Sequence, residues 1–279
     1  MTLTLVSWNV DGFARVASSL PGIMTRLGSP DVLSLQEVRL RPQDTDDVGA
    51  LERALPGYAC AHALARDPQN ASFRGGRTYG VATFVRASLR SEPGITFPWD
   101  REGRFVVTRL PELGMAIGNI YAVNGTDKAY FDHDRAHIDG TRHDFKRRFL
   151  TRVAEACARQ RDEGDALVLA GDWNVSRAPL DATPRLRTEE PHATARAQLN
   201  EAFLPSLDLV DPFRERHPEL RAFTWFNRQA RGERLDAARV DYVLLSRSLL
   251  AAVREIGIHD AASERFGSDH APVFARLST

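Results

Sequence analysis

Short apolar runs recur along this chain, several with an acid, an amide or a glycine at or just beyond their ends, and they limit its possible folds more than any other feature. They fall at residues 3–6, 32–35, 81–85, 105–107, 115–120, 167–170, 240–245 and 273–274. Several mix β-branched residues with a few polar ones and are bounded by Gly, Pro or Asp, the pattern of strands. Helix candidates lie between some of them. One covers 43–55 and is ended by Pro56-Gly57; another covers 144–161, with Phe145, Phe149, Val153 and Cys157 at helical spacing. A third covers 193–203, and a short one covers 21–27, where Pro21 suits a first turn. Strands outnumber helices and strict βαβ alternation is missing, so a simple doubly wound sheet is not favoured. The expected architecture is one domain over residues 1–279, built on two packed sheets with helices outside. The polar stretch 123–140 reads as a long loop, a feature that in compact domains is usually functional or mobile.

With 279 residues, 43% of them apolar, the chain can bury a sizeable core without disulfide support. Cys60 and Cys157 are its only cysteines, too few for a disulfide framework or a thiolate zinc site. The chain opens on a strand-like run with no basic region, so a secretory signal is not expected. No apolar run is long enough to span a bilayer. The expected setting is the cytoplasm, with no membrane and no obligate protein partner. Formal net charge is zero, but the charge is unevenly spread. Residues 142–161 carry Arg142, Lys146, Arg147, Arg148, Arg152, Arg159 and Arg161; residues 221–239 carry Arg221, Arg228, Arg231, Arg234 and Arg239. Two readings stand: contact with a phosphate backbone, or a solvated helix face plus an arginine-rich loop.

The residues at which the runs stop carry the chemistry. The first run ends at Asn9 with Asp11 two residues on; the second ends at Gln36-Glu37. The run at 115–120 is followed by Tyr121 and Asn124, and the run at 167–170 by Gly171-Asp172-Trp173-Asn174. Asp241 opens the strand-like stretch that follows it, and Ser268-Asp269-His270 precedes the last run. An acid at the end of a buried strand costs desolvation unless it is paired or metal-bound. Several converging acids call for a divalent metal, and oxygen-only ligands favour magnesium over zinc. A carboxylate beside a histidine suits making water nucleophilic and stabilising charge on a phosphate.

Taken in order, the segments Ser7-Trp8-Asn9-Val10-Asp11-Gly12, Leu35-Gln36-Glu37, Tyr121 with Asn124-Gly125, Gly171-Asp172-Trp173-Asn174, Thr224-Trp225-Phe226, Arg239-Val240-Asp241-Tyr242 and Ser268-Asp269-His270 span nearly the whole chain. In this the chain resembles the endonuclease/exonuclease/phosphatase superfamily, with its deoxyribonuclease I-like fold. Within that superfamily it is most similar to the exonuclease III type of abasic-site endonuclease. The resemblance implies an α/β (α+β) fold, a four-layer α/β/β/α sandwich of two mostly antiparallel sheets flanked by helices. It implies Mg2+ as cofactor, with Mn2+ as a possible substitute, and DNA, damaged or with an accessible 3′ end, as partner. By the same resemblance Glu37 is the principal metal ligand, with Asp11 and Asp269 completing the site directly or through water. Asp172 positions or deprotonates the attacking water and Asn174 orients it. His270, held by Asp241, donates to the phosphoryl oxygen as charge builds. Asn9, Tyr121 and Asn124 hold the phosphate or steady the leaving oxygen, and Trp225 is either a substrate-pocket wall or a core aromatic.

Two positions depart from the family pattern. Its Tyr-x-Pro-Asn reads Tyr121-Ala122-Val123-Asn124 here, without the stiffening proline. The bulky apolar residue expected three before Asp241 is Ala238, which implies a looser pocket. Three functions therefore compete. They are a DNA nuclease acting at abasic sites or 3′ ends, a phosphatase or phosphodiesterase for a small phosphorylated metabolite or lipid headgroup, and an inert binding protein. The last sits badly with a full set of acids, amides and imidazole. His133, His137 and His143 follow no strong zinc spacing and read as part of a solvated loop.

Overall fold

A computed structural model describes residues 2–70, 73–132, 137–228, 236–259 and 265–279. In chain order the first strands are β1 (Thr2–Asn9), β2 (Val32–Gln36), β3 (Tyr58–Ala63), β4 (Val81–Arg86), β5 (Phe105–Leu110) and β6 (Met115–Tyr121). They are followed by β7 (Ala129–Asp132), β8 (His137–Thr141), β9 (Ala166–Asp172), β10 (Ala182–Thr183) and β11 (Leu209–Val210). The last are β12 (Trp225–Phe226), β13 (Ala237–Ala238), β14 (Asp241–Ser246), β15 (Val253–Ile258) and β16 (Val273–Ser278). The helices used below are α1 (Leu20–Arg26), α2 (Thr45–Glu52), α3 (Arg142–Asp162) and α4 (His192–Ala197).

Period-two alternation along the strands sets the layers. On β1, Leu3 and Leu5 enter the apolar cluster between the sheets, whereas Val6 and Trp8 enter the cluster under α1 and α2. The first sheet runs β15-β16-β1-β2-β4-β3 and the second β11-β14-β9-β6-β5. Ile117, Val168, Ala170, Val243 and Leu245 of the second sheet meet Leu3, Leu5, Val32 and Val85 of the first. On the outer face of the second sheet, Leu167, Leu169 and Leu244 pack against Phe149, Leu150, Val153 and Cys157 of α3. Each such side chain contributes about 1.5–3 kcal/mol when fully buried. The order is helix, sheet, sheet, helix, as the resemblance implied. Most pairings are antiparallel; β1 with β2 and β6 with β9 are parallel.

A polar seam crosses the inter-sheet core. Asn119 Oδ1 accepts from Gln36 Nε2 at 2.8 Å, and Asn119 Nδ2 donates to Ala82 O at 2.9 Å. Gln36 Nε2 also donates to Ser7 Oγ at 3.0 Å. Buried amides that bond directly across an apolar gap allow few relative positions of the sheets. The seam lies directly beneath the strand ends that carry Glu37 and Tyr121.

Several expectations need correction. The stretch 123–140 is not a loop throughout: β7 and β8 pair there as a hairpin. The edge strands β3 and β15 gave no clear signal, because Tyr58-Ala59-Cys60-Ala61-His62-Ala63 lacks a large apolar face and β15 alternates imperfectly. Lys146 was grouped with the basic residues able to meet a phosphate backbone, yet it is buried at 5% exposure. Arg239 is likewise buried, paired with Asp181 and Asp211. Arg142, Arg147 and Arg148 are paired with Glu102, Asp144 and Asp139. Arg231, Arg234 and His133 lie outside the described residues. Among the described residues no helix is long and apolar enough to cross a membrane.

Candidate active site

Strand register assembles the site. Tyr121 of β6 lies opposite Asp172 of β9, and Asp172 lies opposite Asp241 of β14, so three polar side chains stand in one row at the end of the second sheet. On the facing sheet Asn9 of β1 lies opposite Gln36 of β2. The row can form because Gly171 lets the strands close up: with φ of +151°, a Cβ there would stand 1.8 Å from Ile120 O. Glu37, Asp11 and Asn174 follow their strands in the left-handed region, with φ of +54°, +53° and +52°. Non-glycine residues in that region mark local strain, which gathers at functional sites.

A single hydrogen-bond web joins the two sheets. Tyr121 Oη donates to Glu37 Oε1 at 2.6 Å, and Asn9 Nδ2 donates to Glu37 Oε1 at 3.2 Å and to Asp172 Oδ2 at 3.1 Å. Asp172 Oδ1 accepts from the Asn174 backbone N–H at 2.9 Å, and Asn174 Nδ2 reaches Ala122 O at 2.9 Å. His270 Nδ1 meets Asp241 Oδ2 at 2.9 Å, while its Nε2 stands 3.9 Å from Asp172 Oδ2. Ser268 Oγ donates to Asn9 O at 2.7 Å and accepts from His270 N–H at 3.0 Å, fixing the imidazole loop to β1. Thr224 explains part of its motif: its Oγ1 accepts from the N–H of Val240 and of Asp241 at 3.0 Å each. Trp225 is half-buried, bridged to His270 along the backbone and opposite Ala238 on β13.

The electrostatics follow from this burial. Burial, and then Asp241 beside it, pushes the Asp172 carboxyl up to about 7. For His270 burial opposes the charge, but Asp241 and Asp172 outweigh it and push the imidazole up to about 10. Burial also works against the Glu37 carboxylate; Arg39, Tyr121 and Asn9 together hold it below the usual range. Burial and Glu37 push Tyr121 well above its ordinary value, so it stands as phenol rather than phenolate.

Glu37 and Asp11 supply a carboxylate-only donor set; the Arg39 guanidinium contacts both, and Asp11 is also paired with Arg15 and Arg228. Oxygen-only carboxylate donors suit a hard dication. Asp269 stands at the rim, 28% exposed, and is tied to Asp11 only through Arg228, at 3.5 and 3.1 Å. A second group of donors, Asp172, Asp241 and His270, lies within 4.8 Å. Its imidazole Nδ1 is already engaged by Asp241 at 2.9 Å.

Of the residues expected in the site, Asn9, Glu37, Tyr121, Asp172, Asn174, Asp241 and His270 share the web, Trp225 adjoins it, and Asp11 and Asp269 lie at its mouth. Asn124 does not join: it is exposed, and among the described residues no side-chain bond ties it to the others. Sequence reasoning passed over Arg39 and Arg104, and grouped Lys146 with residues able to meet a phosphate backbone rather than with the site. Arg104 is buried, its guanidinium 4.5 Å over the Tyr121 ring and 3.1 Å from Tyr121 O. Arg39 had a usable signal, two residues past Glu37 at a strand end; Arg104 had none.

The chain belongs to the endonuclease/exonuclease/phosphatase family, whose sequence profile matches residues 6–270. It is 24% identical to the exodeoxyribonuclease III of Haemophilus influenzae, over 99% of this chain and 100% of that protein. Among solved structures it resembles the AP endonuclease LMAP from Leishmania major with a TM-score of 0.77 and 20% identity, over 100% of this chain and 88% of that one. It also resembles a 3′ phosphatase from Neisseria bound to product DNA hairpin, with a TM-score of 0.76 and 23% identity, over 99% of this chain and 100% of that one.

Proposed function

We propose that this protein is a metal-dependent phosphodiesterase acting on DNA, cutting at abasic sites or trimming 3′ ends, with Mg2+ as its ion and Mn2+ as a substitute. The carrying observation is that Glu37, Asp172 and His270, drawn from distant parts of the chain, belong to one bonded cluster. The names of its relatives, an exodeoxyribonuclease and an AP endonuclease, agree with that chemistry. Pairing of β1 with β16 supports a single domain, and two free thiols accord with a cytoplasmic setting.

In this reading Glu37 and Asp11, with Asp269 at the rim, hold the ion, which would neutralise charge on the phosphate and on the leaving oxygen. Asp172 takes the proton of the attacking water, whose position Asn174 sets. His270 is charged before substrate arrives. Its Nε2–H faces the side of Asp172 and can donate to a non-bridging phosphoryl oxygen, while Asp241 keeps the ring oriented through Nδ1. Asn9 and the Tyr121 phenol are donors already aimed into the same space, and Trp225 forms its wall. Asn124, at the exposed edge, would reach substrate only from outside the cluster.

The test is a substrate panel run with magnesium and with chelator: duplex carrying one abasic analogue, intact duplex, recessed 3′ ends and soluble phosphoesters. Cleavage of the abasic or recessed duplex that chelator abolishes is expected. Hydrolysis of the small phosphoesters alone would overturn DNA as the substrate and favour the metabolite reading, to which the small Ala238 opposite Trp225 gives room.

A further inference from the structure

Lys146 is one of only two lysines in the chain, and it lies where a lysine is costly. It sits in the second turn of α3 at 5% exposure, and its Nζ donates to Asn174 O at 2.8 Å. An ammonium taken out of water loses several kcal/mol of solvation unless its surroundings return it. A methionine would fill similar volume without that cost. The groups facing Lys146 are few. Asp172 on β9 attracts it and Arg104, just before β5, repels it. His143 on α3 and His192 on α4 are both held below the usual imidazole range by burial, and Lys146 adds to that effect. The residue it grips is the one that grips the base: the Asn174 N–H donates to Asp172 Oδ1 at 2.9 Å, and Nδ2 lies 3.3 Å from Oδ2. Asn174 does this from a left-handed backbone, with its Nδ2 also donating to Ala122 O at 2.9 Å, and Lys146 is the side chain that holds its carbonyl.

We propose that Lys146 is a positioning residue for hydrolysis: its ammonium clamps the Asn174 carbonyl and so fixes the amide that holds both oxygens of Asp172. This rests on the reading of Asp172 as the base. The clamp is stiff because α3 is long and firmly started. Thr141 and Asp144 form a reciprocal cap at its first turn, with Thr141 N–H donating to Asp144 Oδ2 at 2.8 Å. It also links the outer helix layer to the chemistry, which no sequence motif announces.

Lys146→Met and Lys146→Arg in the full chain, assayed with magnesium on the abasic duplex, test the clamp. Lys146→Met should lower kcat by about 10- to 100-fold with KM little changed, the pattern of a misplaced catalytic group. Lys146→Arg should restore most of that rate. Burial pushes the lysine down to about 8, so the wild-type rate should decline on the alkaline side as the ammonium is lost. The arginine variant, whose guanidinium stays charged, should shift that decline upward. A second measurement needs no activity. Hydrogen exchange at the Asn174 amide should quicken in Lys146→Met while the core amides of β9 keep their protection. A methionine variant with wild-type kcat, an arginine variant with an unmoved alkaline limb, or unchanged exchange at Asn174 would each overturn the clamp. Failure of the wild type to cleave any phosphodiester would instead sink the nuclease reading, and the exchange result would still decide the clamp.

Discussion

Asp172 shows how much a single side chain's chemistry owes to its neighbours. In water its carboxyl would be ionised at any physiological pH and too weak a base to deprotonate water. Burial, and Asp241 across the ladder, bring it to about 7. Its basic form is therefore gained as pH rises through that value, and kcat/KM should climb over the same range. Asp172→Asn should abolish this limb and lower the rate by about 100- to 10,000-fold. A steady-state profile from about pH 5 to about pH 8 checks both, and a variant that keeps the limb would mean another group is the base. His270 is charged for the opposite reason: two carboxylates flank a group that burial alone would leave neutral. His270→Ala should cost about 100- to 1,000-fold in kcat, because a donor aimed at developing charge is lost. Equal affinity of variant and wild type for uncleaved duplex, measured with chelator present, would separate that loss from weakened binding. Asp172, Asn174 and Asp269-His270 were legible in the sequence because short motifs carry them. Arg39 and Arg104 each pair with an acid two residues away, but their places beside Asp11 and Tyr121 are set only when distant strands meet.

At the scale of elements, the helices were easier to read than the sheets. The spacing of Phe145, Phe149 and Val153 placed α3 within two residues of its bounds, because its apolar stripe faces one flat sheet. The same periodicity could not say which polar residues would face inward. Lys146 shares a helix with solvent-facing Arg147, and only the approach of the β9 turn buries it. The cap at Thr141 is the element's own contribution to stability. Thr141→Ala should destabilise the protein by about 1 kcal/mol in urea unfolding, through an N–H of the first turn left without its acceptor. A change within error would show that β8 already fixes the helix start. The edge strands β3 and β15 escaped detection for a related reason: a strand paired on one side only needs little apolar pattern to be held.

Across the whole molecule, burial of charge is the recurring device. Glu102 is fully buried between Arg104 and Arg142; burial opposes its charge, yet the two guanidinium groups hold its carboxyl down to about 2. Its folded value is depressed below the unfolded one, so its contribution is present above about pH 4.5 and is lost as pH falls through about 2. Glu102→Gln should lower stability at neutral pH by about 3–5 kcal/mol, since two arginines lose their counter-charge. It should also flatten the acid-induced decline of the melting temperature. A variant whose melting temperature falls with pH as steeply as the wild type would show that other carboxylates carry the acid response. The same ion-paired block backs the Tyr121 ring, so a fault in it should also reach the active site. By itself, the amino-acid sequence determined the apolar runs, the long helix, the layered α/β class and the acids, amides and imidazole at strand ends. Those depend on local spacing and on residue chemistry that survives any rearrangement of the chain. Tertiary structure alone decided which charges are buried, how far each is shifted, and that Lys146 rather than an exposed arginine stands behind the Asp172-Trp173-Asn174 turn. Desolvation and Coulomb interaction depend on distance in space, and residues 146 and 174 are neighbours only after the sheets have closed.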